Sequence, residues 1–292
     1  MSGILTIDKG SPHWWLSPDI WVTRVGDPTT FPGVGNPVAG EAYNVSVRVR
    51  DNYADPVDSE WNLFVCWVIP TLGPIPIPPA AQILNTGAIA VPVPPMSSVQ
   101  LETAATWTPS FVNGGHECLI AMAYLQQAIG GGVDGGLPVS SLAGNAPDTY
   151  FSSIAQKNLG VLKVGSHRKP PFHYAFQACN GADEERRFVI TARQAPLSDI
   201  AAFLPGMPGG RSILDKPGKF EGLGITASAK PGADAPEAAG AVHSSVGIAP
   251  RSCHPFTLSG VLPEGNALIH VTQSLDERVV GGLSVLVMAE EK

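Results

Sequence analysis

Residues Tyr43–Arg50 read YNVSVRVR. Tyr43, Val45, Val47 and Val49 fall on one side of an extended chain, and Asn44, Ser46, Arg48 and Arg50 on the other. Strict alternation rich in β-branched residues marks a strand with one face in a core and one in water. Upstream, Ile20–Arg24 (IWVTR) reads as a first strand, joined to it by a proline- and glycine-rich connection. Downstream, Asp51–Glu60 (DNYADPVDSE) is an acidic, turn-rich loop. It leads into Trp61–Ile69 (WNLFVCWVI), which is apolar enough for a central strand covered on both faces. Val99–Thr106 and Glu117–Gln126 supply further strands. The second of these, ECLIAMAYLQ, also has the composition of a short helix, but the Gly114–Gly115 entry favours a strand.

The second half continues in the same style. Leu159–Val164, Phe172–Cys179, Arg187–Arg193, Gly222–Ala227, Ala241–Ile248, Pro255–Gly260, Ala267–Gln273 and Val279–Ala289 all read as strands. A short helix is predicted over Asp199–Leu204, with Ser198 as its N-cap and Pro205–Gly206 as its stop. Gly130–Gly136 (GGGVDGG) lacks the lysine and Ser/Thr of a phosphate-cradling loop and reads as linker. Lys230–Gly240 reads as an exposed loop. The expected fold is all-β: two tandem antiparallel immunoglobulin-like β-sandwich domains. Residues 1–16 form an N-terminal arm, 17–128 the first sandwich, 129–150 a Gly/Pro-rich linker and 151–292 the second sandwich.

Bulk composition agrees. The 292 residues include 32 glycines and 28 prolines, about a fifth of the chain, below the proportion that marks disorder. Only 15% of residues are charged. Net charge is −7, and the acidic excess lies in the first half, which disfavours contact with phosphate backbones. The paired basic residues Arg168–Lys169 and Arg186–Arg187 read as solvated strand ends. The first residues lack the basic and apolar regions of a secretory signal, so synthesis in the cytoplasm is expected, with any export by another route. The uncharged run Val68–Val99 is long enough to span a membrane, but eight prolines between Pro70 and Pro95 would break a helix.

That run lies in a window, Asp51 to Gln156, with no lysine or arginine. Such a surface faces water poorly, and proline pre-orders it for docking. Ile75, Ile77, Ile83, Leu84, Ile89, Val91 and Val93 are therefore candidate interface residues. Trp14 and Trp15 join them as an anchor for a neighbouring subunit.

Chemical motifs are sparse. No GxSxG, HExxH or EF-hand pattern occurs, and no CxxC pair suggests zinc. No cofactor and no metal site is expected. His116–Glu117–Cys118 reads as a turn histidine beside a buried cysteine, and His167 and His173 have no acidic partner nearby in sequence. Asp51, Asp55, Asp58 and Glu60 could converge on calcium, but they lack the DxDxDG order, so solvated turn carboxylates are the first reading. The sequon Asn44–Val45–Ser46 lies within a strand and reads as chance. Trp61 and Trp67 share a strand face and read as core. Cys66 and Cys118 fall in one half, Cys179 and Cys253 in the other. One bridge per domain is permitted; four buried thiols in a reducing compartment is the expectation.

The run SPDIWV (Ser17–Val22), then GNPVAGEAYNVSVRVRDN (Gly35–Asn52), a Trp-containing strand and GHECLIA (Gly115–Ala121) resembles the CARDB-like group of bacterial immunoglobulin-like domains. The resemblance covers about Ser17 to Gln127. It implies a seven-stranded antiparallel sandwich and a surface or accessory module without catalysis of its own. SIAQKNLGV (Ser153–Val161) resembles the chain exit that often follows such domains. The functional expectation is a non-enzymatic structural subunit forming an oligomer or filament, with another copy or a companion structural protein as partner. The alternative is a carbohydrate- or surface-binding adhesin module, calcium-dependent in one version. An enzyme with an unrecognised site is the third reading.

Overall fold

A computed structural model describes residues 5–35, 37–57, 60–72, 82–90, 92–110, 117–125, 152–165, 171–207, 209–227 and 241–289. The chain is all-β. Its strands are β1 (Leu5–Thr6), β2 (Ile20–Arg24), β3 (Tyr43–Asp51), β4 (Trp61–Val68), β5 (Thr71–Leu72), β6 (Ile83–Ala88), β7 (Ser98–Glu102), β8 (Cys118–Leu125) and β9 (Ser152–Lys157). They continue as β10 (Leu159–Val164), β11 (Pro171–Asn180), β12 (Arg186–Ala195), β13 (Glu221–Ala227), β14 (Ala241–Ile248), β15 (Ser252–Val261), β16 (Asn266–Leu275) and β17 (Arg278–Ala289).

Four sheets stack in two sandwiches. In the first, β3 pairs with β1, β2 and β7, opposite a sheet of order β6-β4-β8-β9. The alternation of Tyr43–Arg50 holds: Tyr43, Val45, Val47 and Val49 enter the core between these sheets with Trp61, Leu63, Val65 and Trp107. Burying each such aliphatic side chain contributes about 1.5–3 kcal/mol. Leu5 and Ile7 lie in the same core, so the segment expected to be a separate arm is partly built into the sandwich. The second sandwich stacks the order β10-β17-β16-β12-β14 on β13-β15-β11-β5. Phe172, Tyr174, Phe176, Phe188, Phe256, Ile269 and Val285 fill its core. Among the described residues the named strands pair antiparallel except β10 with β17 and β5 with β11.

Two features cross the expected domain boundary. β9 falls within the expected second domain, yet it pairs with β8 of the first sandwich. β5 comes from the first half and pairs with β11 of the second, where Leu72 is fully buried. The predicted helix over Asp199–Leu204 is replaced by 3-10 turns at Leu197–Ile200 and Leu204–Gly206. Pro196 holds the N-cap position with no side-chain cap, and Pro205 leaves too few residues for an α-helix to propagate.

The expectation of four free thiols is corrected for one pair. Cys179 on β11 sits directly opposite Cys253 on β15, and the two are disulfide-bonded. Cys66 and Cys118 are free and buried, and burial pushes both thiols well above their ordinary pKa, which makes them inert. The bridge closes a loop of 74 residues, which by chain entropy stabilises by about 4 kcal/mol. Replacing both Cys179 and Cys253 by serine is expected to lower unfolding free energy by about 2–5 kcal/mol in urea titrations, with the Cys66→Ser change costing less.

Candidate functional site

The junction of the two sandwiches gathers the polar groups that sequence spacing keeps apart. Asn158 is the single residue between β9 and β10 and is fully buried. Its Nδ2 donates to the carbonyls of Thr71 and Gly282, each at 2.9 Å. Its backbone N–H donates to Trp15, and its carbonyl accepts from the N–H of Ser284. The chain before β2 runs beside β9, with the N–H of Ser17 donating to Gln156 and a bridge between Leu16 and Lys157. This segment thereby lies against both sandwiches.

Its aromatic residues continue the contact. Trp15 is buried with Leu16, Leu159, Val161, Ile200, Phe203, Leu268 and Leu286 on the outer face of the β10–β17–β16 sheet. A Cβ at Gly282 would collide with the Trp15 indole, so glycine is needed where the ring lies flat on β17. Trp14 packs edge-on against Trp15. The anchor expected for a neighbouring subunit is thus corrected: Trp15 docks on the second sandwich of its own chain.

Beneath Trp15 lies a five-membered relay. Its indole Nε1–H donates to Ser284 Oγ at 2.9 Å. Ser284 sits directly opposite His270 on the neighbouring strand, with Oγ 2.8 Å from His270 Nδ1. His270 Nε2 lies 2.9 Å from Asp199 Oδ2, and His13 Nε2 lies 2.9 Å from the same oxygen. A carboxylate oxygen only accepts, so Nε2 of His270 carries the proton and donates to Asp199; Nδ1 of the neutral ring is then an acceptor and takes the hydrogen of the Ser284 hydroxyl, which itself accepts from the indole. Burial pushes the pKa of His270 down to about 4 against the opposing pull of Asp199, so the ring is neutral near pH 7. Burial works to raise Asp199, but hydrogen bonds from His270 and His13 outweigh it and hold the carboxyl below its ordinary range. Among the described residues, His13, Asp199 and His270 form the one cluster with metal-ligand composition; their ligand atoms lie within 4.8 Å of one another.

The residues singled out from the sequence are arranged differently. Leu84, Ile89 and Val93 are buried in the first core, and Ile83 is partly buried against the cluster formed by Phe64, Cys66 and Ile120. Leu84, Ile89 and Val93 are thereby interior rather than at an outer surface, because an apolar uncharged segment satisfies the same physics by entering its own core; Ile83 keeps part of its surface open. Ile75, Ile77 and Val91 lie outside the described residues, as do the loop 130–136, the linker 129–150 and residues 230–240. Glu117 is buried and accepts from Trp107 Nε1 at 2.8 Å and from the N–H of Ser110 at 3.0 Å, which gives it a structural role. His116 and His167 lie outside the described residues, and His173 is exposed on β11. Asp51 is buried, and its Oδ1 caps the N–H of Tyr53; Asp55 and Glu60 are exposed, and Asp58 lies outside the described residues. Sequence reasoning missed His13, Asp199, His270 and Ser284. The only signal that could have found two of them is the placement of His270 and Ser284 on the strand faces opposite the core-facing Ile269 and Val285.

The junction defines a two-sandwich all-β protein whose halves share strands and polar contacts. No known family matches the chain by sequence, and no curated protein matches it. Among solved structures it is similar to red sea bream transglutaminase, with 10% identity over 94% of this chain and 31% of that one, at a TM-score of 0.24. The chain therefore spans about a third of that protein's length. It is also similar to the CupB6 tip adhesin from Pseudomonas aeruginosa, with 8% identity over 99% of both chains, at a TM-score of 0.22. The CFA/I enterotoxigenic E. coli adhesin CfaE is 9% identical over 100% of this chain and 92% of that one, with a TM-score of 0.22. The fold assignment rests on the sheets described above.

Lys157 borders the junction. Its Nζ is buried, has no hydrogen-bond partner among the described residues, and lies 5.3 Å from the Phe203 ring. Burial lowers its pKa from 10.5 to about 8. A folded value below the unfolded one means that burial destabilises the fold in full below pH 8, less as pH rises, and not at all above about 10.5. Lys157→Met is therefore expected to raise stability at pH 7 by an amount on the order of 2 kcal/mol, after allowing for the lost cation–π contact. Chemical denaturation at pH 7 and pH 10 should show the advantage shrinking at the higher pH.

Proposed function

We propose that this chain is a non-enzymatic module in which two β-sandwiches act as one body in attachment to a carbohydrate or protein surface. The observation that carries this reading is the Asn158 junction, which leaves no free linker between β9 and β10 and binds the first segment of the chain to both halves. A body without a hinge holds a binding face at a fixed position relative to its attachment point. The Cys179–Cys253 bridge supports a working location in an oxidising compartment. The resemblance of Ser17–Gln127 to CARDB-like modules points the same way.

An acyl-transfer enzyme is the rival that the relay invites, because Ser284, His270 and Asp199 stand in the order of a nucleophile, base and orienting acid. Access argues against it. Ser284 and His270 are fully buried, and the Trp15 indole covers the hydroxyl by donating to it. A nucleophile needs room for a carbonyl within about 3 Å. The relay supports docking instead. Assembly into a filament through the proline-rich segment is supported less, since Leu84, Ile89 and Val93 are interior, while Ile75, Ile77 and Val91 lie outside the described residues.

Small-angle scattering paired with glycan and matrix-protein arrays tests the proposal. A single rigid particle that binds one immobilised ligand class saturably is expected. Gly282→Leu, which has no room beside Trp15, should expand the particle and split its calorimetric transition in two. Wild-type scattering that fits only two independently moving bodies would remove the reading. Turnover of a substrate, abolished by Ser284→Ala, would restore the enzyme. Concentration-dependent growth of oligomers would restore assembly.

A further inference from the structure

We propose that His13, Asp199 and His270 form a binding site for a borderline divalent metal of the zinc class, which clamps the N-terminal segment to the second sandwich. Each ligand comes from a different part of the chain: His13 from the loop before β2, Asp199 from the 3-10 turn Leu197–Ile200, His270 from β16. Two imidazole nitrogens and one carboxylate oxygen suit zinc, cobalt or nickel, whereas calcium and magnesium take oxygen donors almost exclusively.

The spacing fits. In a tetrahedral zinc site, bonds of about 2.0–2.2 Å put neighbouring ligand atoms about 3.3 Å apart. Both nitrogen-to-oxygen separations here are 2.9 Å, so each must open by less than about half an ångström. His270 is fully buried, whereas the side chains of His13 and Asp199 are 11% and 20% exposed, which leaves an approach for the ion and a fourth position for water.

The surrounding hydrogen bonds match a metal ligand as well. A histidine bound through Nε2 carries its proton on Nδ1 and needs an acceptor there. Ser284 Oγ is already 2.8 Å from Nδ1. It can accept from His270 and from Trp15 Nε1 together through its two lone pairs. The change on binding is local: each imidazole gives up its Nε2 proton to bind the ion and carries one on Nδ1 instead, and the serine hydrogen rotates away from His270. The cluster has no neighbouring motif in sequence because the three residues are 186 and 71 positions apart.

The test uses the full chain with cobalt(II) chloride alone, followed by zinc chloride. One equivalent of cobalt is expected to give the intense visible absorption of a four-coordinate ion, and one equivalent of zinc to abolish it. Zinc should raise the melting temperature, and a chelator should reverse the rise. His13→Asn and Asp199→Asn are each expected to weaken cobalt affinity at least tenfold, while His173→Asn, on an exposed strand face, leaves it unchanged. His13 lies on a loop, so its variant should keep the wild-type circular dichroism even if His270→Gln does not fold. Absence of a stoichiometric site, weak six-coordinate absorption, or affinity undiminished in both His13→Asn and Asp199→Asn would overturn the proposal.

Discussion

The two sandwiches meet at a single buried side chain whose amide donates to both halves of the sequence. Asn158 stands where the chain leaves one sheet and enters another, and it is shielded from water. Its amide must donate inside the protein or carry a desolvation penalty of about 1–3 kcal/mol per unmet group. The two carbonyls it finds belong to Thr71 and Gly282, one from each half of the sequence. The backbone of the same residue holds Trp15 and Ser284. Position the asparagine and three segments are positioned with it: β5, β17 and the chain before β2. β5 is then set beside β11, and the Trp15 ring is set over Gly282.

Much of the fold is legible in the sequence, for a reason that also marks where legibility ends. Strands with alternating burial, such as Tyr43–Asp51 and Pro171–Asn180, carry their period in their own residues. Apolar strands flanked by turns, such as Trp61–Val68, are readable from composition. β1 and β5 have two residues each, too few to show any period, and exist only because β3 and β11 offer edges. Ser152–Lys157 reads SSIAQK; nothing in it specifies which sandwich it joins, and pairing with β8 decides. Ser198 has the right chemistry for an α-helical cap, so the sequence predicts a helix after it, but Pro196 holds the N-cap two residues earlier and the segment closes as a 3-10 turn.

The uncharged proline-rich segment shows why burial and interface are hard to separate from composition. An apolar residue loses contact with water equally well in its own core or in a partner's. Own-core burial wins at Leu72, Leu84, Ile89 and Val93 because the first and second sandwiches present open sheet edges and faces within reach of the chain. Effective concentration within one molecule favours such contacts over any between molecules. The same competition applies to Trp15, which finds a glycine-flattened patch on β17 in its own chain.

The polar relay answers a different requirement from the apolar contacts around it. The outer face of the β10–β17–β16 sheet, with Leu159, Leu286 and Leu268, would accept a hydrophobic segment in several registers. Non-directional contacts cannot choose among them. A buried imidazole with defined donor and acceptor sides can. A shift of the incoming chain by one residue would turn Trp15 away from Ser284 and remove His13 from Asp199, which would leave His270 hydrogen-bonded to a carboxylate with one partner fewer. Such mismatches are penalised by desolvation, so the relay selects the register while Trp15, Leu16 and Phe203 supply the burial. In this junction strength and specificity come from different atoms: apolar side chains supply the burial, and the buried polar groups fix the register.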